Sequence, residues 1–353
     1  MIFQQRIDFT PPQTGNALGA NFKVTNGITR EFHIEAILIR LDFTSTGAIA
    51  TALADGLWGI LARVVVTVSD GATTRSVVAT SGRALLEKAY NDFGILDAAT
   101  MAAFGATAAT AYQITYPIFF MTPTINDSLR ELLLLPAIRY NQNIDVDLTL
   151  STQAQMDSNA TPTFAISAGV TVSCIVLRRV VDVANFDTLD QDLIELTQNF
   201  AATANDQQTI IPTPGHYVTM DLRYYTTAAA RATIITAGGS IRLQAVQVNF
   251  RRFRPEDVAV INQYKVKPNA PAQYIGGLYR INFLDDSPSG DDGDFGSLLN
   301  TNVYAPTGAQ VLLLQDITGG AAVVGKYVLH RILGDLDRFK AVQRARKGAA
   351  AKA

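Results

Sequence analysis

Apolar and polar residues alternate with a period of two along most of this chain. Ile37, Ile39, Leu41 and Phe43 interleave with Leu38, Arg40, Asp42 and Thr44, which predicts a strand from about Thr29 to Thr44 with one face on a core. Leu57–Val68 and Thr74–Thr80 predict a hairpin around Asp70-Gly71. Tyr112–Met121, Asn143–Leu150 and residues 164–181 predict three more strands. The last contains the longest β-prone run, Thr171–Val181, without Gly or Pro. It gives way at Asn185–Leu196 to an acidic stretch with Leu189, Leu193 and Leu196 at helical spacing, which reads as a connector. Beyond it the order recurs. Ile210–Tyr225 and Ile241–Phe253 predict strands, Gly276–Phe283 an aromatic strand like Tyr112–Phe120, and Gln310–Ile317 and Lys326–Leu333 the closing pair.

Short helices punctuate both halves. Ser81 is a candidate N-cap for a surface helix through Phe93, and Asp127–Leu135 predicts a helix ended by Pro136. Pro255–Tyr264 and Phe295–Leu299 take the corresponding places in the second half. Residues 97–111 lack a strong pattern and predict a loop, and residues 1–28 an extended arm broken by Pro11, Pro12, Gly15, Gly19 and Gly27.

A chain of 353 residues exceeds what one core usually serves. The expected division is an arm at 1–28, a first β-unit at 29–184, a linker at 185–199, a second β-unit at 200–334 and a tail at 335–353. Charged residues make up only 17%, against about 25% in ordinary soluble chains, which hints at surface covered by partners. The net charge of −2 gives no global field for a polyanion. A single cysteine, Cys174, excludes internal disulfides. The start lacks the pattern of a signal peptide and no 18-residue apolar run occurs, so synthesis and first residence in a host cytoplasm are expected.

Candidate chemistry is sparse. His33, His216 and His330 stand far apart in or beside strands, which favours structural roles over metal ligation. Cys174 sits in an apolar strand, where burial raises a thiol's pKa and hides it. The loop Asp285–Asp294, with Asp291, Asp292 and Asp294, is a candidate Ca²⁺ site, but its spacing is not that of an EF-hand and a solvated turn is the plainer reading. Arg178-Arg179 and Arg251-Arg252-Phe253-Arg254 are candidates for nucleic-acid contact or, at strand ends, for pairing across an interface. The tail holds six Lys or Arg against two Asp. Arg338, Lys340, Arg344, Arg346 and Lys347 make it a candidate membrane- or polyanion-facing arm, or else a frayed solubilising terminus. No catalytic triad order, phosphate-cradling glycine loop or H-E-x-x-H motif is present, and no cofactor is implied.

The order of elements, with Val77-Val-Ala-Thr-Ser-Gly82 before the first helix, Tyr116-Pro-Ile-Phe-Phe-Met-Thr-Pro123 followed by Ser128-Leu-Arg-Glu-Leu-Leu, and Gly277-Leu-Tyr-Arg-Ile-Asn-Phe before the acidic loop and Leu298-Leu-Asn-Thr-Asn302, resembles the double jelly-roll major capsid protein of tailless, membrane-containing icosahedral phages, the tectivirus-like lineage. The resemblance spans roughly residues 20–334. It implies an all-β fold of two tandem eight-stranded jelly rolls, with homotrimers as pseudo-hexagonal capsomers of a virion. Penton and minor capsid proteins are implied partners, and the terminal segments reach toward an internal membrane or neighbouring capsomers. It implies no enzyme activity and no specific nucleic-acid readout. The rival reading is a carbohydrate-binding or carbohydrate-active double β-sandwich, against which stands a single tryptophan, Trp58. A vertex protein of the same fold is a third.

Overall fold

The computed structural model describes residues 4–24, 26–47, 49, 55–93, 96–104, 110–121, 133–157, 161–180, 188–200, 204–226, 240–254, 278–283, 299–301, 309–317 and 322–333. Alternation builds two sandwiches, each of eight principal strands. The first uses β1 (Gln4–Phe9), β3 (Asn21–Lys23), β4 (His33–Ser45), β5 (Leu61–Ser69), β6 (Thr74–Thr80), β7 (Ala111–Phe119), β8 (Asp145–Leu150) and β9 (Ile166–Val180), with short β2 (Gln13–Asn16) added to β9. The second uses β10 (Asp190–Phe200), β11 (Ala204–Ile211), β12 (His216–Thr226), β13 (Ile241–Ala245), β14 (Val248–Phe253), β15 (Leu278–Asn282), β17 (Val311–Ile317) and β18 (Val323–Leu333), with β16 (Leu299–Asn300) beside β12. Each sandwich closes on its own apolar core, one around Ile37, Val64, Tyr116 and Cys174, the other around Met220, Leu243, Leu313 and Tyr327.

The tandem jelly rolls expected from sequence are therefore present, and their sheets are copies of one another. In the first roll the sheets run β1-β9-β4-β7 and β6-β5-β8-β3; in the second they run β10-β18-β12-β15 and β14-β13-β17-β11. Strand for strand, the orders match. The match extends to irregularities, because the β4–β9 ladder shifts register between Ile34 and Ala36 and the β12–β18 ladder between Tyr217 and Thr219. Anchored on that bulge, His33 corresponds to His216, Arg178 to Arg331 and Tyr116 to Tyr279. The two arginines do the same work. Arg178 is paired with Asp8 on β1 and donates to the Glu31 carbonyl, while Arg331 is paired with Asp192 on β10 and donates to the Pro214 carbonyl at 3.0 Å. Glu31 and Pro214 each lie two residues before the matched histidine.

Several local expectations change. Residues 190–200, read as part of a helical connector, form strand β10, where Gln191 to Leu193 are buried and pairing with β18 runs the full length. Tertiary pairing overrides the helical spacing of the leucines. The lead-in is extended as expected, yet paired: β1 joins β9 and β3 joins β8. The helix α1 (Gly82–Phe93) is not on the surface, since Gly82 to Tyr90 are all buried. Gly82 is required there, because a Cβ would come within 2.6 Å of the Tyr116 ring and 2.7 Å of Leu61. Within the predicted loop at 97–111 stands a short helix, α2 (Ala98–Ala103), capped by Asp97, whose side chain accepts from the Thr100 amide at 2.9 Å. The Ile210–Tyr225 strand is two strands, broken around Pro212 and Pro214. Ile241–Phe253 is a hairpin that turns at Val246 (φ 48°) and Gln247 (φ 63°). The helices expected at 255–264 and 295–299, most of the one at 127–135, the acidic loop and the tail lie outside the described residues.

Candidate assembly interfaces

Edge-to-edge strand pairing joins the rolls. β6, at the end of β6-β5-β8-β3, runs parallel to β10 with Val78 opposite Leu193 and Ala79 opposite Ile194, so one sheet of each roll merges into a continuous nine-stranded sheet. Parallel pairing over two residues is weak by itself. The joint is held by α1, which lies between the rolls and meets the outer face of β10-β18-β12-β15.

Charge dominates this contact. Arg83 is 2% exposed and meets Glu87 at 2.7 Å, Glu195 of β10 at 2.9 Å and Asp55 at 3.4 Å, with its guanidinium 5.5 Å from the Tyr225 ring centre. Glu87 also takes Arg223 of β12 at 2.7 Å. Further along the helix Lys88 holds Asp92 at 2.7 Å, Asp92 is paired with Arg280 of β15, and Arg280 stands 3.6 Å from Asp221. Cations and carboxylates alternate, so the buried charges neutralise one another. Burial works to raise the Asp92 carboxyl, but Lys88 and Arg280 outweigh it and bring it down to about 2. For Asp221 burial wins, and its carboxyl sits above the usual range despite Arg280 and Lys88. Burial, aided by Lys88, holds His330 well below the ordinary imidazole value. Because the Gln191 amide nitrogen donates to the Phe120 and Leu133 carbonyls, its oxygen faces His330 Nε2 at 2.8 Å and the neutral ring donates. Beside the network a cavity of about 440 Å³ is lined by Asp55, Arg83, Ser151, Gln155, Tyr225 and Lys326. The ion pairs bind the helix to the sheet; their chemistry is that of a fixed joint.

Among the described residues the matched face on the first roll is half-buried at its centre and exposed along its β1 edge. On the outside of β1-β9-β4-β7, Phe9 aligns with Ile175 and Leu38, and Ile7 with Leu177. Ile7 is 52% and Phe9 73% exposed. The position matched to Ile7 is Leu193, 8% exposed at the joint, and the position matched to Ile175 is Val328, 3% exposed. Leu38 stands where the joint has Asp221, and Leu177 where it has His330. Covering what remains exposed of Ile7 and Phe9 would contribute about 1–2 kcal/mol each. Polar pairs border the patch: Arg179 with Glu35 at 2.6 Å and Arg40 with Asp42 at 2.8 Å.

The residues singled out from sequence fall as follows. His33, His216 and His330 are buried in separate places, and among the described residues no cluster of His, Cys, Asp or Glu has the makings of a metal site. Cys174 is buried and its thiol is pushed up to about 12 by desolvation. Arg178 and Arg179 pair with Asp8 and Glu35 within the first roll. Arg252 and Arg254 are exposed at the end of β14. Asp291, Asp292 and Asp294, and tail residues Arg338, Lys340, Arg344, Arg346 and Lys347, lie outside the described residues. Sequence reasoning missed Arg83, Glu87, Lys88, Asp92, Arg223 and Arg280. The available signal was a helix with charges spread around an otherwise apolar circumference, which contradicts a one-sided surface helix.

No family model and no curated protein matches the sequence. Solved structures do match. The chain is similar to the major capsid protein of STIV (TM-score 0.67, 13% identity, 95% of this chain and 98% of that one) and to the PBCV-1 virus capsid (0.62, 12%, 94% and 95%). It is also similar to the major capsid protein P2 from bacteriophage PM2 (0.56, 13%, 94% and 98%). These neighbours are viral capsid proteins. Over nearly its whole length, the chain has the double jelly-roll fold of these viral major capsid proteins.

Proposed function

We propose that this chain is the major capsid protein of an icosahedral virus, that it homotrimerises into pseudo-hexagonal capsomers, and that these tile a shell over an internal membrane. The observation that carries the reading is the pair of matched sheet faces, one covered inside the chain and one left with an exposed apolar edge. A duplicated roll with an unmatched face satisfies it by association with further copies. The architectural likeness to viral major capsid proteins supports the same reading. Arg338, Lys340, Arg344, Arg346 and Lys347 then form an inward arm toward anionic lipid headgroups, and penton and minor capsid proteins complete the shell.

Expression of the full chain followed by electron microscopy tests the proposal. Hexagonal capsomers or closed shells are expected, and single particles of one chain at all concentrations contradict it. The arm is tested by flotation with vesicles containing phosphatidylserine. Replacing the five basic residues with Glu abolishes flotation at low salt, and unchanged flotation removes the arm from the account.

A further inference from the structure

The internal repeat specifies which surfaces meet between copies, given the capsomer reading above. Within the chain, the last strand of β6-β5-β8-β3 lies parallel to the first strand of β10-β18-β12-β15. The second roll has its own equivalent of the former sheet, β14-β13-β17-β11, with β14 at its end. The first roll has the equivalent of the latter, β1-β9-β4-β7, with β1 at its end. Among the described residues both β14 and β1 pair on one side only, and open edges of this kind take up further strands.

We propose that the outer face of β1-β9-β4-β7, with the edge of β1, seats the second roll of another copy, whose β14 runs parallel beside β1. The residue register follows from the ladders. Val66 opposite Val78 corresponds to Leu243 opposite Arg251, each next to a register shift. Val78 thus matches Arg251 and Ala79 matches Arg252, while Leu193 matches Ile7 and Ile194 matches Asp8. Transferring the internal pairing places Arg251 of one copy opposite Ile7 of the next, and Arg252 opposite Asp8. The second of these is a charge-complementary pair.

The character of the surfaces agrees. The covered face carries Asp221, Arg223 and Glu195, and the helix seated on it carries Arg83, Glu87 and Lys88. On the matched face Leu38 stands for Asp221 and Phe9 for Glu195, while Arg40 stands for Arg223 and is paired with Asp42 of its own strand. The arrangement is heterologous, since each copy offers one open face and one β14 edge, and under the capsomer reading its repeated steps close into a ring. Six rolls from three copies complete it.

Disulfide trapping in the full chain tests the register. The double variant Ile7→Cys and Arg251→Cys, which keeps the Asp8–Arg178 pair, with buried Cys174 left in place, is oxidised and run on a non-reducing gel. Covalent species ending at three chains are expected, and each single variant yields at most two-chain species. Phe9→Asp alters a side chain that is 73% exposed, so the fold is spared, and it is expected to convert trimers to single chains. Wild-type trimers that neither cross-link in the double variant nor dissociate in Phe9→Asp overturn this interface and leave the capsid reading standing. A wild-type chain that remains single overturns both.

Discussion

Two sheet faces in equivalent places on the two rolls are built oppositely. The face on β10-β18-β12-β15 is charged and satisfied within the chain, where Arg83, Glu87, Arg223, Asp92 and Arg280 neutralise one another away from water. The face on β1-β9-β4-β7 has an apolar patch around Leu38, Ile175 and Leu177, with Phe9 and Ile7 exposed at its edge and the Arg40–Asp42 and Arg179–Glu35 pairs around it. A buried ion-pair lattice tolerates few geometries and fixes how the rolls sit on one another. An apolar patch with a polar border tolerates a period in water before it is covered, which suits a contact made only after the chain has folded. One duplicated face thus serves a permanent joint in one roll and an association surface in the other.

This contrast is broken most severely at Glu87. Glu87→Ala leaves Arg83 and Arg223 each short of a buried carboxylate and is expected to lower chain stability by about 3–5 kcal/mol. Urea unfolding measures it, and a change below about 1 kcal/mol would mean that the charges do not hold the joint. The matched apolar positions come next. Leu193→Ala is expected to cost about 2–4 kcal/mol, and Ile7→Ala, in the unassociated chain, about 0.5 kcal/mol or less. Equal losses would erase the distinction between covered and open faces.

Acid probes the joint from another side. His330 is neutral in the fold with its pKa held below 6.5, so the unfolded chain takes up the proton first. Stability from this group is full above pH 6.5 and falls as pH drops below it, at about 1.4 kcal/mol per pH unit. His33, lowered by burial and Arg139, acts in the same sense. His330→Gln is expected to flatten the decline between pH 6.5 and 5, as read by thermal unfolding at each pH. The Asp92 carboxylate contributes above about 3.8 and loses that contribution only as pH falls toward 2, so it is not responsible in this window. Smallest is Arg40→Ala at the border of the open face. Arg40 and Asp42 are 41% and 37% exposed, and breaking the pair is expected to change stability by about 0.5 kcal/mol or less.

The doubled β-architecture was legible because core strands such as β4, β5 and β8 alternate cleanly and the Asp70-Gly71 turn carries its own signature. The β13–β14 hairpin was not, because a Val246-Gln247 turn lacks Gly, Asn or Asp, and an alternating pattern runs straight through it. Strand β10 was hidden by leucines at helical spacing that are held instead by pairing with β18, more than 130 residues away in the chain. The joint was hidden for a related reason. Arg83, Glu87, Arg223 and Arg280 look like ordinary surface charges in sequence, and only the packing of one roll on the other buries them together. The repeat itself lies in register and bulge positions, with few shared residues such as His33 and His216 or Arg178 and Arg331.

Light scattering of the purified full chain across a tenfold concentration range tests the self-assembly claim most directly. A chain of 38.1 kDa that forms capsomers gives a stable mass of about 114 kDa, or larger shells. A mass that stays at one chain throughout contradicts it.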